Sequence, residues 1–141
     1  FTLTYHNHAA EFIKLPDGRI ALDALFEATS GSDVQFLFDT FFAACSGFDP
    51  KEYLKQFAGR VPQIHFNDMA DASKVDPGRD GMGLSTELGA GSMDLPAIYR
   101  TALNTGVRWV ILEQHALRDN PLESAQANFN YYHKMIAATA S

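Results

Sequence analysis

Val107-Arg108-Trp109-Val110-Ile111-Leu112-Glu113 decides the fold. It is a short apolar run, rich in β-branched and aromatic side chains, that stops on a carboxylate. Such a run suits a strand buried on both faces of a parallel sheet. Three weaker copies of the pattern precede it. Phe1-Thr2-Leu3-Thr4-Tyr5 runs into His6-Asn7-His8, Val34-Gln35-Phe36-Leu37-Phe38 ends at Asp39, and Val61-Pro62-Gln63-Ile64-His65-Phe66 carries a proline near its start. These readings predict strands near residues 2–6, 34–39, 62–66 and 107–113.

Helical patterns fill the gaps. Leu15-Pro16-Asp17-Gly18 is a turn, after which Leu22, Leu25 and Phe26 fall at helical spacing between Ile20 and Thr29. Asp49-Pro50 is an N-cap followed by proline at the first helical position, and Gly59 closes the segment Lys51 to Ala58. Leu95-Pro96 opens a helix to Leu103, and Asn120-Pro121 opens the last one, to about Ala138. The glycine-rich stretch from Asn67 to Asp94 reads as a long loop, of the kind that usually binds or covers a ligand. Four strand–helix units in succession predict an α/β fold with a parallel sheet and right-handed crossovers. That leaves a doubly wound sheet or part of a (β/α)8 barrel. No Gly-x-Gly-x-x-Gly or P-loop pattern follows any strand, so nucleotide binding is not indicated.

The 141 residues allow one domain with a modest core. Apolar residues at 46% and charged residues at 20% are globular values. A net charge of −6, with 11 basic against 17 acidic residues, argues against a nucleic-acid partner. No apolar run approaches the ~18 residues of a membrane span, so no membrane partner is expected and a cytoplasmic location is. One cysteine, Cys45, excludes an internal disulfide. The chain opens at Phe1 inside a strand-like run without an initiator methionine, as a piece of something longer would.

The polar residues carry the chemistry. Each strand ends in a metal ligand or an acid–base group: His6 and His8 with Glu11 beyond, Asp39, His65 with Asp68 nearby, and Glu113 with His115 two residues on. In parallel α/β folds the carboxyl ends of the strands form the site. Alternation puts Gln35, Leu37 and Asp39 on one face and Phe36 and Phe38 on the other. Trp109, Ile111 and Glu113 likewise share a face. Singly, each group has an ordinary explanation, since a strand-end carboxylate often caps the next helix. Four strand ends together point to a divalent cation held by carboxylates and imidazoles, namely Mn²⁺, Mg²⁺, Co²⁺ or Zn²⁺.

The same residues carry a resemblance. Tyr5-His6-Asn7-His8-Ala9-Ala10-Glu11-Phe12 is similar to the Tyr-His-Asn-His-x-x-Glu-Phe signature of the sugar phosphate isomerase/epimerase family, within the xylose isomerase-like TIM barrels. Phe38-Asp39-Thr40 with Ser46-Gly47-Phe48-Asp49-Pro50 resembles a second element of that family. Gly59-Arg60-Val61 with Ile64-His65-Phe66-Asn67-Asp68 resembles a third. Gly89-Ala90-Gly91-Ser92-Met93-Asp94, Leu112-Glu113-Gln114 and Asn120-Pro121 resemble the rest, in collinear order. The resemblance implies strands five to eight of the barrel, so that residues 1–141 form a single (βα)4 half barrel.

It also implies a divalent metal on Asp39, His65 and Glu113. The fourth ligand comes from Glu11, His6 or His8, with Glu11 as the nearby carboxylate. Glu113 is the expected base, with Glu11, His6 or His8 as its acid–base partner. His8, Asn67, Asp68 and His115 are expected to contact a small sugar substrate. The departures are Phe41-Phe42 for the family's Tyr-Trp, Asn67 for its Lys, and Gln114-His115 for its Gln-Asp. The implied activity is proton transfer next to a carbonyl of a keto-sugar or polyol. The alternatives are metal-assisted elimination from a keto-polyol or 3-keto-glycoside, or a half barrel that does no chemistry. An open half barrel exposes its inner face, which implies a partner: a second copy of the chain or the missing N-terminal half.

Overall fold

A computed structural model describes residues 2–76, 80–116 and 120–139. Four strands form one sheet, in chain order: β1 (Thr4–His6), β2 (Gln35–Asp39), β3 (Gln63–Phe66) and, after the short pair below, β6 (Trp109–Leu112). Every neighbouring pair is parallel. The helices are α1 (Ala21–Ala28), α2 (Thr40–Cys45), α3 (Pro50–Gln56), α4 (Leu95–Asn104) and α5 (Pro121–Thr139). The four expected strands and the four expected helices are present, shorter or longer by a few residues.

The helices cover one face. Phe36, Phe38, Ile64 and Phe66 point outward from the sheet. They form the core with Leu22 and Phe26 of α1, Tyr53 and Leu54 of α3, Leu95, Ile98 and Ala102 of α4, and Met135 of α5. The opposite face carries Leu37, Trp109 and Ile111. Trp109 is 66% exposed and Ile111 36%. A doubly wound sheet would bury both faces under helices, so this is the half-barrel arrangement. Among the described residues no helix is long and apolar enough to cross a membrane.

Two features depart from the sequence reading. Helix α2 starts directly after β2, because the Asp39 side chain accepts the amide N–H groups of Phe41 and Phe42 at 2.9 and 3.1 Å. Thr40, Phe41, Phe42, Ala43 and Cys45 are all buried, so the helix carries no apolar stripe by which periodicity would find it. The stretch from Asn67 to Asp94 is not plain loop. It contains β4 (Asp68–Met69) paired antiparallel with β5 (Ser85–Thr86), each too short to show an alternation.

Candidate metal centre

The sheet register brings the polar strand ends together. Asp39 lies opposite His65, and His65 opposite Ile111. The amide of Glu113 extends the ladder by donating to Phe66 O at 3.2 Å. Alternation then places His6, Asp39, His65 and Glu113 on the face away from the helices, at the carboxyl edge. One donor atom from each of these four lies within 4.8 Å of the others.

Asp39 is the hub and is fully buried. Its Oδ1 caps α2, while its Oδ2 lies 3.3 Å from both His6 Nε2 and His65 Nδ1. Burial pushes this carboxyl up, but the two imidazoles and the Phe42 amide outweigh burial and hold it at about 2. His65 shows the converse. Burial pulls it down, yet the Asp39 and Glu113 carboxylates raise it to about 9. Glu113 Oε2 is 2.7 Å from His65 Nδ1 and 3.5 Å from His115 Nε2. His65 Nδ1 thus lies between the two carboxylates, nearer to Glu113 than to Asp39. A shell of ~2.1 Å metal–ligand bonds sets neighbouring donors ~3.0–3.4 Å apart. A tight group of two carboxylates and two imidazoles fits a divalent cation.

The other expected site residues divide. Glu11 stands apart from the four. Its Oε1 accepts from Tyr5 Oη at 2.6 Å and its Oε2 from the His8 amide at 2.8 Å, so it closes the short turn Ala9–Phe12 rather than facing Asp39. It also pushes the Tyr5 hydroxyl up to about 12 through that hydrogen bond. His6 takes the place for which Glu11, His6 and His8 compete. His8 is exposed, its ring tilted against the His6 ring at 4.5 Å and against Phe42 at 4.9 Å.

Asp68 is buried, and its carboxylate is taken up by backbone. Oδ1 accepts from Met69 and Met93, and Oδ2 from Gly89 and Gly91, at 2.8 to 3.1 Å. It organises the 89–93 turn and offers no free acceptor to a sugar. A Cβ on Gly91 would collide with Asp68 Oδ1 and the Met69 carbonyl, which is why glycine stands there. His115 reaches the site through Glu113, whereas Asn67 is fully buried and bonds to Ser85.

Two site residues escaped the sequence reading. Asn7 Oδ1 accepts the Asp39 amide at 2.9 Å and ties the end of β1 to β2. Its setting between two histidines at a strand end is the signal that was available. Ser85 Oγ donates to Asn67 Oδ1 at 2.8 Å and accepts the His115 amide at 3.0 Å. Nothing local in the sequence marks it.

The fold is that of half a (β/α)8 barrel, with a row of potential metal donors at its strand ends. No family model matches the chain. It is similar to the inosose dehydratase of Clostridium perfringens, 28% identical over 134 residues, which covers 87% of this chain and 44% of that protein. Among solved structures it is similar to a sugar phosphate isomerase/epimerase from Parabacteroides distasonis, with a TM-score of 0.73 at 20% identity over 91% of this chain and 43% of that one. A xylose isomerase domain protein from Planctomyces limnophilus gives a TM-score of 0.67 at 18% identity over 94% of this chain and 44% of that one. The chain thus spans less than half the length of the curated relatives it matches.

Proposed function

We propose that this chain supplies the metal-binding half of an enzyme that removes a proton next to the carbonyl of a keto-sugar or keto-polyol. The observation that supports the reading is the convergence of donor atoms of His6, Asp39, His65 and Glu113 within 4.8 Å of one another. These four would hold the cation, and the mixed nitrogen and oxygen set suits Zn²⁺, Co²⁺ or Mn²⁺ better than Mg²⁺. A bound divalent cation supplies Lewis acidity that polarises the carbonyl and acidifies the neighbouring C–H.

The protein's own groups do the rest. Glu113 has two oxygens. One joins the donor cluster and the other takes the proton as a carboxylate base. His115 Nε2, 3.5 Å from Glu113 Oε2, holds that carboxylate in place. Asp39 keeps its charge and orients both imidazoles. The Phe41 and Phe42 rings, with Phe42 5.0 Å from His115, wall the site against water. If the proton returns to carbon, the product is an isomer or epimer. If the adjacent C–O bond breaks, the hydroxyl takes a proton and leaves as water. The likeness to an inosose dehydratase favours the second outcome, and the likeness to a sugar phosphate isomerase/epimerase the first.

Calorimetric titration with Mn²⁺ and Zn²⁺ tests the reading. One ion per chain is expected, with Asp39→Asn weakening binding at least tenfold while the circular dichroism spectrum is kept. Millimolar metal without binding, or an Asp39→Asn variant that binds as tightly, overturns it.

A further inference from the structure

Helix α5 buries Ser124, Asn128 and Met135, so its buried face is polar over the first half of its length. A helix kept only for packing would place apolar side chains there. Ser124 and Asn128 lie one turn apart on the same face. Ser124 Oγ donates to Glu87 Oε1 at 2.7 Å, and Asn128 Oδ1 accepts the Leu88 amide at 2.7 Å. Asn128 Nδ2 in turn donates to Gln114 Oε1 at 2.8 Å, and Gln114 Nε2 donates to Ala116 O at 2.8 Å. This run of bonds begins at a backbone N–H and ends at a backbone C=O. Each side-chain amide inside it therefore has one allowed orientation.

We infer that Asn128 and Gln114 are positioning residues, which clamp the 113–116 segment to α5 and so set where Glu113 stands against His65; this rests on the proton-abstraction reading above. Alternation along β6 puts Glu113 and His115 on the site face and Gln114 on the helix face. The last ladder bond of β6 runs from the Glu113 amide to Phe66 O. Beyond it the segment is held from two sides. The His115 amide donates to Ser85 Oγ at 3.0 Å, and the Gln114 side chain is tied to α5. Without that tie the peptide planes on either side of residue 114 are free to rotate. Rotation there carries the Glu113 carboxylate away from its 2.7 Å approach to His65 Nδ1. Neither Asn128 nor Gln114 belongs to the four converging donors, so both act through Glu113 rather than on a cation.

The test is a double-mutant cycle on the full chain, with Mn²⁺ affinity read by calorimetry in the wild type, Asn128→Asp, Glu113→Gln and the double variant. Asn128→Asp keeps the acceptor for the Leu88 amide and removes the donor to Gln114. It is expected to weaken Mn²⁺ binding about tenfold in the wild-type background and less than twofold in the Glu113→Gln background. A merely structural role would cost the same factor in both. Gln114→Ala, at a half-buried position, carries the same cycle if Asn128→Asp does not fold. A second readout needs no metal. Deuterium exchange of the Glu113 and His115 amides is expected to speed up at least tenfold relative to that of the Phe36 amide in either variant. An equal loss of Mn²⁺ affinity in the two backgrounds, no loss in either, or exchange at Glu113 and His115 that changes no more than at Phe36 overturns this inference. Failure of the wild type to hold Mn²⁺ overturns the proton-abstraction reading instead, and the exchange measurement then decides the clamp by itself.

Discussion

Metal binding by this chain must displace a proton, and the displacement has a calculable size. In the metal-free protein His65 is raised from 6.5 to about 9, against the pull of burial, by the Asp39 and Glu113 carboxylates. The nitrogen that would ligate a metal must first lose its proton. Apparent metal affinity should therefore climb by about two orders of magnitude between pH 6.5 and 9 and level off above. The same shift sets a stability slope of opposite sign. A raised histidine contributes stability that is fully present below pH 6.5 and lost as pH rises through about 9, at most about 3 kcal/mol. The depressed Asp39 describes the same contact and is not added to it. The metal-free chain should thus lose stability from pH 6.5 to 9, whereas with saturating Mn²⁺ the gain in affinity offsets that loss and stability should stay nearly flat. Urea titrations at four pH values with and without Mn²⁺, and calorimetry in buffers of different ionisation enthalpy, read both effects. Metal affinity that does not change with pH, or the same slope of stability with and without Mn²⁺, would refute the argument.

Three further outcomes are expected. Glu11→Gln should leave Mn²⁺ affinity within threefold of wild type, because Glu11 is bonded to Tyr5 and the His8 amide; a tenfold loss by calorimetry would return it to the ligand set. Asp68→Ala strands four backbone N–H groups and should cost at least 3 kcal/mol in urea unfolding, and a variant of unchanged stability would show that Asp68 does not organise the turn. Trp109→Lys should reduce self-association in sedimentation and binding of a hydrophobic dye, since covering the exposed part of this ring is worth ~4 kcal/mol; a wild-type chain that is monomeric at micromolar concentration and binds no dye would show that this face needs no cover.

What was legible in the sequence follows from distance along the chain. The four strands were legible because their alternation is local: Phe36 and Phe38 face the helices, and Leu37 and Asp39 do not. The same counting put Asp39 and Glu113 on the site face, and the structure adds His65 to them. Applied to β1 it also puts His6 there, but Glu11 competed because the turn Ala9–Phe12, which folds its carboxylate back onto Tyr5 and His8, has no period to read. Asp68 was misjudged for a long-range reason. Its acceptors are filled by amides some twenty residues later, at Gly89, Gly91 and Met93, and no local pattern announces that. Ser85 is hidden in the same way, being joined to residue 67 on one side and residue 115 on the other.

Asp39 shows why the ordinary explanation of a strand-end carboxylate and the chemical one are not rivals. Capping uses Oδ1, which the Phe41 and Phe42 amides hold in one rotamer. That hold aims Oδ2 at His6 and His65. Asn7 fixes the backbone beneath by accepting the Asp39 amide, so neither the strand end nor the side chain is free to swing. A ligand prepared in this way loses little conformational entropy when a cation arrives, and the stability of the cap is not lost on binding. Asparagine at this position keeps an oxygen for the cap and removes the negative charge, whereas alanine removes both. The asparagine variant therefore isolates metal binding from folding, because the two oxygens of one side chain have already divided those tasks.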